Sequence, residues 1–208
     1  MCRLMSDKGG KYMFRCFFPD EYRDSTYEID FDKLYREGYR GLLFDIDNTL
    51  VPHGAPADDR AIALFIHLKE LGFRSCFISN NKIGRVSSFN DAVGERFIEN
   101  AHKPSVRNYL KAMELLGTDT GNTIFIGDQL FTDIYGAKRA GIRNILVKPI
   151  DSKEEIQIVL KRYLEKIVLY FYQKEKGIHE PYCNYRIYGF RKNESGKTAC
   201  TGIRFAVY

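Results

Sequence analysis

The sequence lacks the features that would place it in a membrane or in an export pathway. No run of 18 apolar residues occurs, so no segment is expected to span a bilayer as a helix. The basic N-terminus has no apolar core of the secretory type, and no internal repeat or low-complexity segment is visible. We therefore expect a cytoplasmic protein that is not secreted, with peripheral attachment to the inner membrane face as an open option.

Paired cysteines are also lacking, because the five cysteines are scattered and never form a C-x-x-C pair. They are Cys2, Cys16, Cys76, Cys183 and Cys200. An odd number without a framework spacing favours free thiols in a reducing compartment over disulfides. A zinc site from His179, Cys183 and Cys200 is the alternative, although that set has no fourth ligand and no standard spacing.

Charge is unevenly distributed along the 208 residues. The chain is 44% hydrophobic and 28% charged, which is typical of a soluble globular protein, and its net charge is +5. Residues 161–208 hold ten Lys and Arg against four Glu, whereas the remainder is close to neutral. This basic tail suggests an anionic partner, either a lipid surface or a nucleic acid, with an ordinary solvated face as the alternative.

Apolar runs and helical periodicities alternate along the central part of the chain. Strands are predicted at residues 41–44, 73–79, 97–98, 123–126 and 142–147. Helices are predicted from Asp58 or Asp59 to Leu71, at 82–93, from Pro104 to about 116, and at 132–140. This βαβαβαβαβ order predicts an α/β fold with a central parallel sheet and helices on both faces.

Polar side chains follow three of these strands. Asp45 and Asp47 follow the first, Ser79 and Asn80 the second, and Asp128 the fourth. Because ligands of open α/β sheets bind at the carboxyl ends of the strands, we expect these side chains to meet at one edge.

The residue types at this edge suit a phosphate and a divalent cation. Clustered carboxylates repel one another unless a hard cation such as Mg²⁺ binds them, and Asp133 would complete the acidic set around Asp128. Lys103 supplies a positive charge, and the Ser79 hydroxyl a hydrogen-bond donor, for phosphate oxygens. Each piece alone has an ordinary explanation as a turn, a loop or a surface lysine.

These motifs, in this order, resemble the four motifs of the haloacid dehalogenase (HAD) superfamily. They are Asp45-Ile46-Asp47-Asn48-Thr49, Ser79-Asn80, Lys103, and Gly127-Asp128 with Asp133. Phe18-Pro19-Asp20-Glu21, Ser79-Asn80-Asn81 and Lys103-Pro104 narrow the resemblance to the subclass IIIA, YqeG-type branch, which includes phosphatidylglycerophosphate phosphatases. The resemblance covers about residues 13–175.

The resemblance implies a HAD-like Rossmannoid three-layer sandwich and an Mg²⁺-dependent phosphatase. Asp45 would be the nucleophile that becomes phosphorylated, and Asp47 the general acid and base, with its backbone carbonyl on the metal. The implied phosphate-binding residues are Thr49, Ser79, Asn80 and Lys103. The implied metal site consists of Asp45, Asp47, Asp128 and Asp133, the last acting directly or through hydrogen bonds to the ligands.

The domain organisation predicted from these patterns has four parts. They are an N-terminal extension at 1–40 that could face a membrane, a phosphatase core at 41–150, a C-terminal helix at 151–176, and a basic aromatic tail at 177–208. Only about six residues separate Val51 from the next helix, so there is no room for a cap domain (a C0-type site).

An uncapped site suits a bulky or surface-bound phosphate. The apolar run at 167–172, flanked by basic residues, could contact an anionic lipid surface or pack against the sheet or a partner subunit. Together with the resemblance to a branch that includes phosphatidylglycerophosphate phosphatases, this makes dephosphorylation of phosphatidylglycerophosphate to phosphatidylglycerol the leading expectation. The alternatives are a soluble phosphate ester, nucleotide or phosphoprotein as substrate, or a regulator that binds phosphate or nucleic acid without turnover. Nucleic acid is not the expected partner, and the oligomeric state is not predicted.

Overall fold

A computed structural model describes residues 14–151, 156–177, 188–192 and 198–202. Side chains are described for residues 14–151 and 163–177. The chain consists of two compact units, a first unit, Met1–Tyr172, and a second unit, Gln173–Tyr208.

The first unit is built on a six-stranded parallel sheet in the order β1-β6-β5-β2-β3-β4. Its strands are β1 (Glu21–Arg23), β2 (Gly41–Phe44), β3 (Arg74–Ile78), β4 (Arg96–Ile98), β5 (Thr123–Gly127) and β6 (Arg143–Val147). Five of the six were predicted from sequence, and the expected α/β class with a central parallel sheet is confirmed.

Helices connect the strands. They are α1 (Phe31–Arg36), α2 (Asp59–Leu71), α3 (Ile83–Val93), α4 (Val106–Leu116), α5 (Tyr135–Ala140) and α6 (Ile156–Lys176). The predicted boundaries of α2 are confirmed: the Asp58 carboxylate accepts a hydrogen bond from the Ala61 N–H, and Gly72 ends the helix in the left-handed region. The connection from Val51 to Asp59 is short, and the chain between β3 and α4 consists mainly of α3 and β4, so the described residues contain no cap domain.

Helices cover both faces of the sheet because side chains of a strand alternate between faces. Leu42 and Phe44 lie in one core cluster with residues of α1, α2 and α3, whereas Leu43 lies in another with residues of α4 and α5. All three side chains are fully buried. This three-layer arrangement leaves the carboxyl ends of the strands as the edge where polar side chains collect.

Pro104 was predicted in the first turn of a helix, and this prediction is wrong. It follows a cis peptide bond after Lys103, and α4 begins only at Val106, with Ser105 as its N-cap. The predicted helix at 132–140 is also more complex, because the chain first forms a π-helix, Leu130–Ile134, before α5. Both differences lie next to candidate site residues.

Part of the segment 1–40, which the sequence analysis assigned to an N-terminal extension, contributes to the core of the first unit. Strand β1 pairs with β6, and Phe31 and Leu34 of α1 are buried. Phe18 is buried too, and its ring contacts the Tyr172 ring of α6 with the centroids 5.5 Å apart. From residue 18 onwards, this segment therefore packs as part of the fold.

The C-terminal part of the chain is described in pieces. Helix α6 falls within the predicted 151–176 helix, and none of the described helices is long and apolar enough to cross a membrane. In the second unit, β7 (Tyr188–Lys192) and β8 (Thr198–Gly202) form an antiparallel pair. His179 and Cys183 of the zinc alternative lie outside the described residues, and no side chain is described for Cys200.

Candidate active site

Three neighbouring strands deliver the predicted site residues to one edge of the sheet. Asp45 and Asp47 follow β2, Ser79 follows β3, and Asp128 follows β5. All four are buried, with at most 8% of any of them exposed. Because β2 pairs with both β3 and β5, the convergence expected from the sequence is present.

The turn after β2 orients the two aspartates. Asn48 has a φ of 61°, a left-handed conformation that asparagine tolerates better than most residues, and its N–H donates to the Val51 carbonyl at 2.8 Å. The N-terminal segment supports this turn: the Thr26 hydroxyl donates to the Thr49 carbonyl at 2.7 Å, and the Tyr27 hydroxyl to the Leu50 carbonyl at 2.6 Å. Residues far upstream thus fix the backbone that carries Asp45 and Asp47.

Three buried carboxylates form the acidic cluster of the site. Asp45, Asp128 and Asp133 each offer an oxygen within 4.8 Å of the others. Asp133 is fully buried, and its Oδ2 accepts a hydrogen bond from the Gln129 N–H at 3.2 Å. Gly127 makes room for it, since a Cβ at that position would lie 2.5 Å from Asp133 Oδ2.

Lys103 joins two of these carboxylates. Its Nζ lies 2.7 Å from Asp45 Oδ1 and 2.7 Å from Asp133 Oδ1, and only 3% of its side chain is exposed. Asn80 fixes the lysine backbone, since Asn80 Oδ1 accepts from the Lys103 N–H at 2.7 Å. Three carboxylates against one ammonium leave an excess of two negative charges when all are ionised. This excess and the all-oxygen donor set fit a divalent cation.

The electrostatics of the cluster follow from burial. Burial raises the pKa of Asp45 from 3.8 to about 6, because the opposing effect of Lys103 is smaller than the loss of solvation together with the repulsion from Asp133. Burial alone would lower the pKa of Lys103, but Asp133 and Asp45 raise it overall. The lysine therefore stays charged at neutral pH, and its ion pairs with Asp45 and Asp133 offset the repulsion between these carboxylates.

Asp47 lies outside the acidic cluster and has a separate set of donors. Its Oδ1 accepts from the Gly54 N–H at 2.7 Å and from Arg85 Nε and Nη2 at 3.1 and 2.9 Å. Its Oδ2 accepts from Asn81 Nδ2 at 2.6 Å, and His53 Nδ1 lies 3.7 Å from Oδ1. A carboxylate so held keeps a fixed orientation beside the cluster, as a proton donor and acceptor requires.

Arg85 was missed by the sequence analysis, and Asn81 entered it only as part of a motif. Arg85 lies in the first turn of α3, four residues after Asn81, so its position directly after the Ser79-Asn80-Asn81 motif was the available signal. Its pairing with Asp47 spans 38 residues and is not encoded in any local pattern.

The remaining candidates have partners within the protein. Ser79 Oγ accepts from the Asn81 N–H at 3.1 Å, and the Thr49 hydroxyl lies 3.4 Å from Asp128 Oδ1. Asn80 is directed to the Lys103 backbone. Phosphate binding by Thr49, Ser79 and Asn80 stays a prediction. Through these contacts Thr49 also supports Asp128, and Asn80 supports Lys103.

Comparison with known proteins gives the family. A family model described as HAD-hydrolase-like matches residues 100–156, which include Lys103, Asp128 and Asp133. The probable phosphatase YqeG of Bacillus subtilis is 34% identical over 154 residues, which cover 74% of this chain and 90% of that protein.

Two further relatives are more distant. The phosphatidylglycerophosphate phosphatase 1 of Arabidopsis thaliana is 27% identical over 66% of this chain and 45% of its own length. The glyceraldehyde 3-phosphate phosphatase of Pyrococcus abyssi is 32% identical over 41% of this chain and 40% of its own length. With the YqeG match spanning most of both chains and the fold and motifs agreeing, the chain belongs to the HAD superfamily of hydrolases, in its YqeG-type phosphatase branch.

Proposed function

We propose that this protein hydrolyses a phosphate monoester through a phosphorylated Asp45, and that its substrate is phosphatidylglycerophosphate at an anionic membrane surface. The observation that supports this chemistry is that the carboxylates lie in two different environments. Asp45 lies in the acidic cluster against Lys103, whereas Asp47 is held outside it by Arg85, Asn81 and the Gly54 N–H. Two aspartates in such different surroundings suit different roles.

The proposed reaction has two half-reactions. In the first, a carboxylate oxygen of Asp45 attacks phosphorus, the bond to the leaving oxygen breaks, and protonated Asp47 gives its proton to that oxygen. In the second, ionised Asp47 takes a proton from water, the water oxygen attacks phosphorus, and the bond to Asp45 breaks. Phosphate leaves, Asp45 is again a carboxylate, and Asp47 is again protonated.

Lys103 and the acidic cluster hold the reacting group in this scheme. The Lys103 ammonium, already 2.7 Å from Asp45 Oδ1, offsets negative charge as the phosphoryl group arrives. Asp45, Asp128 and the Asp47 backbone carbonyl are the proposed ligands of Mg²⁺, with Asp133 as a further ligand or a support. A bound Mg²⁺ supplies positive charge that neutralises phosphoryl oxygens.

The lipid substrate is supported by the surface of α6 as well as by the Arabidopsis relative. One face of this helix carries large side chains that are 38% to 60% exposed. They are Tyr163, Leu164, Ile167, Tyr170 and Phe171. Lys166 lies among them, and Lys174 and Lys176 follow in the last turn. We call these five residues the α6 face. Its aromatic and aliphatic side chains, together with the neighbouring Lys166, fit an anionic bilayer.

Phosphate release from a panel of substrates tests the proposal. We expect Mg²⁺-dependent release that is faster from phosphatidylglycerophosphate in mixed micelles than from soluble esters, and no turnover by Asp45→Asn. Faster release from glyceraldehyde 3-phosphate than from the lipid would favour the soluble alternative, to which the Pyrococcus relative points. Turnover retained by Asp45→Asn would reject the mechanism itself.

Vesicle sedimentation tests the membrane surface separately. The Ile167→Ser/Tyr170→Ser variant is expected to lose binding to phosphatidylglycerol vesicles but not its activity on a soluble ester. Ile66→Ser is the matched control, because Ile66 is 53% exposed on α2. Equal vesicle binding by wild type and the double variant would reject the α6 face as the contact surface.

A further inference from the structure

Arg85 is bound in the site by only part of its guanidinium. Nε and Nη2 both donate to one oxygen of Asp47, Oδ1, because Asn81 already donates to the other. Nη1 is buried and has no hydrogen-bond partner among the described residues. Only 16% of the Arg85 side chain is exposed, so water reaches this group poorly. An unpaired donor in such surroundings is costly, and native structures rarely keep one without a reason.

The unpaired nitrogen belongs to the part of the guanidinium that recognises phosphates. Nη1 and Nη2 form one edge of a planar fork whose spacing matches two oxygens of a phosphate or carboxylate. In this structure Asp47 is bound by the other edge, Nε–Nη2, and Nη1 of the Nη1–Nη2 edge has no partner among the described residues. A phosphate-type anion would satisfy both nitrogens, whereas Asp47, with its other oxygen occupied by Asn81, does not.

The position of Arg85 puts this edge near the leaving group of the substrate. In the proposed reaction, Asp47 exchanges a proton with the leaving oxygen, and the Arg85 guanidinium lies 2.9 Å from Asp47 Oδ1. Lys103, the cation of the acidic cluster, is engaged by Asp45 and Asp133. The two cations are therefore placed to contact different parts of a substrate. Lys103 would contact the reacting phosphoryl group, and Arg85 would contact the part of the leaving group beyond the leaving oxygen.

Further hydrogen-bonding groups lie close to the same carboxylate. His53 Nδ1 is 3.7 Å from Asp47, with 57% of its side chain exposed. Helix α3 begins beside Arg85 without a side-chain cap at Lys82, so its first N–H groups add partial positive charge. Among described residues, no carboxylate other than that of Asp47 forms an ion pair with Arg85.

We propose that Arg85 determines specificity by binding a second anionic group, a phosphodiester or phosphate, within the leaving group of the substrate. The inference rests on the proposed phosphatase reaction and narrows its substrate to a phosphate monoester with a second phosphate a few bonds away. When substrate binds, the guanidinium shifts away from Asp47 so that its Nη1–Nη2 edge meets that anion. This movement frees Asp47 to approach the leaving oxygen, so a substrate without the second anion leaves Asp47 held.

Two soluble substrates with the same kind of leaving oxygen test this without a membrane. One is glycerol phosphate, and the other is the phosphatidylglycerophosphate headgroup without acyl chains, which adds a phosphodiester. Wild type is expected to prefer the headgroup in kcat/KM. Arg85→Gln should reduce that preference by about tenfold to a hundredfold, the usual range for a charged hydrogen bond. Arg85→Lys should retain part of it, and exposed Arg36→Gln on α1 should retain all of it.

The ratio of the two substrates separates specificity from simple positioning. If Arg85 only orients Asp47, Arg85→Gln lowers kcat/KM equally for both substrates and the ratio stays unchanged, which would overturn the inference. Unfolding curves of all variants, measured alongside, identify any loss of activity that comes from misfolding.

Binding without turnover keeps the inference distinct from the proposed function. In Asp45→Asn, headgroup affinity measured by calorimetry should fall about tenfold on adding Arg85→Gln, and an unchanged affinity would again overturn the inference. If the acylated lipid is not hydrolysed but the headgroup effect persists, the membrane proposal fails and the role of Arg85 stands. If the lipid is hydrolysed but Arg85→Gln leaves both the substrate ratio and the headgroup affinity unchanged, the membrane proposal stands and the inference about Arg85 fails.

Discussion

The substitution Asp45→Asn should abolish catalysis and yet stabilise the metal-free protein. Asn keeps the shape of the side chain but removes one negative charge from a cluster that also holds Asp128 and Asp133. Burial, with smaller contributions from the charges of Asp133 and Asp47, raises the pKa of Asp45 from 3.8 to about 6, so the folded state disfavours the ionised form. At about 1.4 kcal/mol for each pKa unit, ionised Asp45 lowers the free energy of unfolding by about 3 kcal/mol above pH 6.

The sign of the pH dependence follows from this raised pKa. A carboxyl group with a higher pKa in the folded state contributes stability that is fully present below its unfolded pKa, near 4, and lost as pH rises through about 6. Asn cannot ionise and keeps that contribution at every pH. The gain from Asp45→Asn should therefore be near zero at pH 4 and should reach about 3 kcal/mol at pH 7.5.

Denaturant unfolding in EDTA at pH 4, 6 and 7.5 measures this difference. The same gain corresponds to a rise in melting temperature of about 6–12 °C for a protein of this size. Added Mg²⁺ should reduce it, because a cation at a hundred times its Kd stabilises wild type by about 2.7 kcal/mol. A variant less stable than wild type in EDTA at pH 7.5, or a difference independent of pH, would refute the reasoning.

Three other predictions concern the surroundings of the site. Gly127→Ala should cost about 1–3 kcal/mol and lower activity, because its Cβ would displace Asp133; equal unfolding curves and turnover would contradict this. Glu165→Ala should cost about 1–3 kcal/mol and raise the Mg²⁺ concentration for half-maximal activity, since the buried Leu130 N–H loses its acceptor 2.8 Å away, while Glu165→Gln should retain most function. Burial raises the pKa of Cys76 to about 12, so peptide mapping after iodoacetamide treatment at pH 8 should find this thiol modified only in unfolded protein.

The local features of the fold could be predicted because they depend on neighbouring residues. The apolar run Gly41–Phe44, the cap at Asp58 and the left-handed stop at Gly72 each require only a short stretch of sequence. The placement of Asp45 and Asp128 followed from them, because parallel strands bring their carboxyl ends to one edge. Strand β1 has only three residues, too few for a periodic signal, and exists because it pairs with β6.

The sequence by itself determined the parallel α/β fold, the family and the residues of the four motifs. Only the tertiary structure decided which residues pair with one another. Lys103 lies between Asp45 and Asp133, Asn80 binds the Lys103 backbone, and Arg85 binds Asp47. Such pairings join residues 23 to 58 positions apart, and burial sets their strength. A linear pattern records which groups are present, whereas their distances and their loss of solvent arise only when the chain has folded.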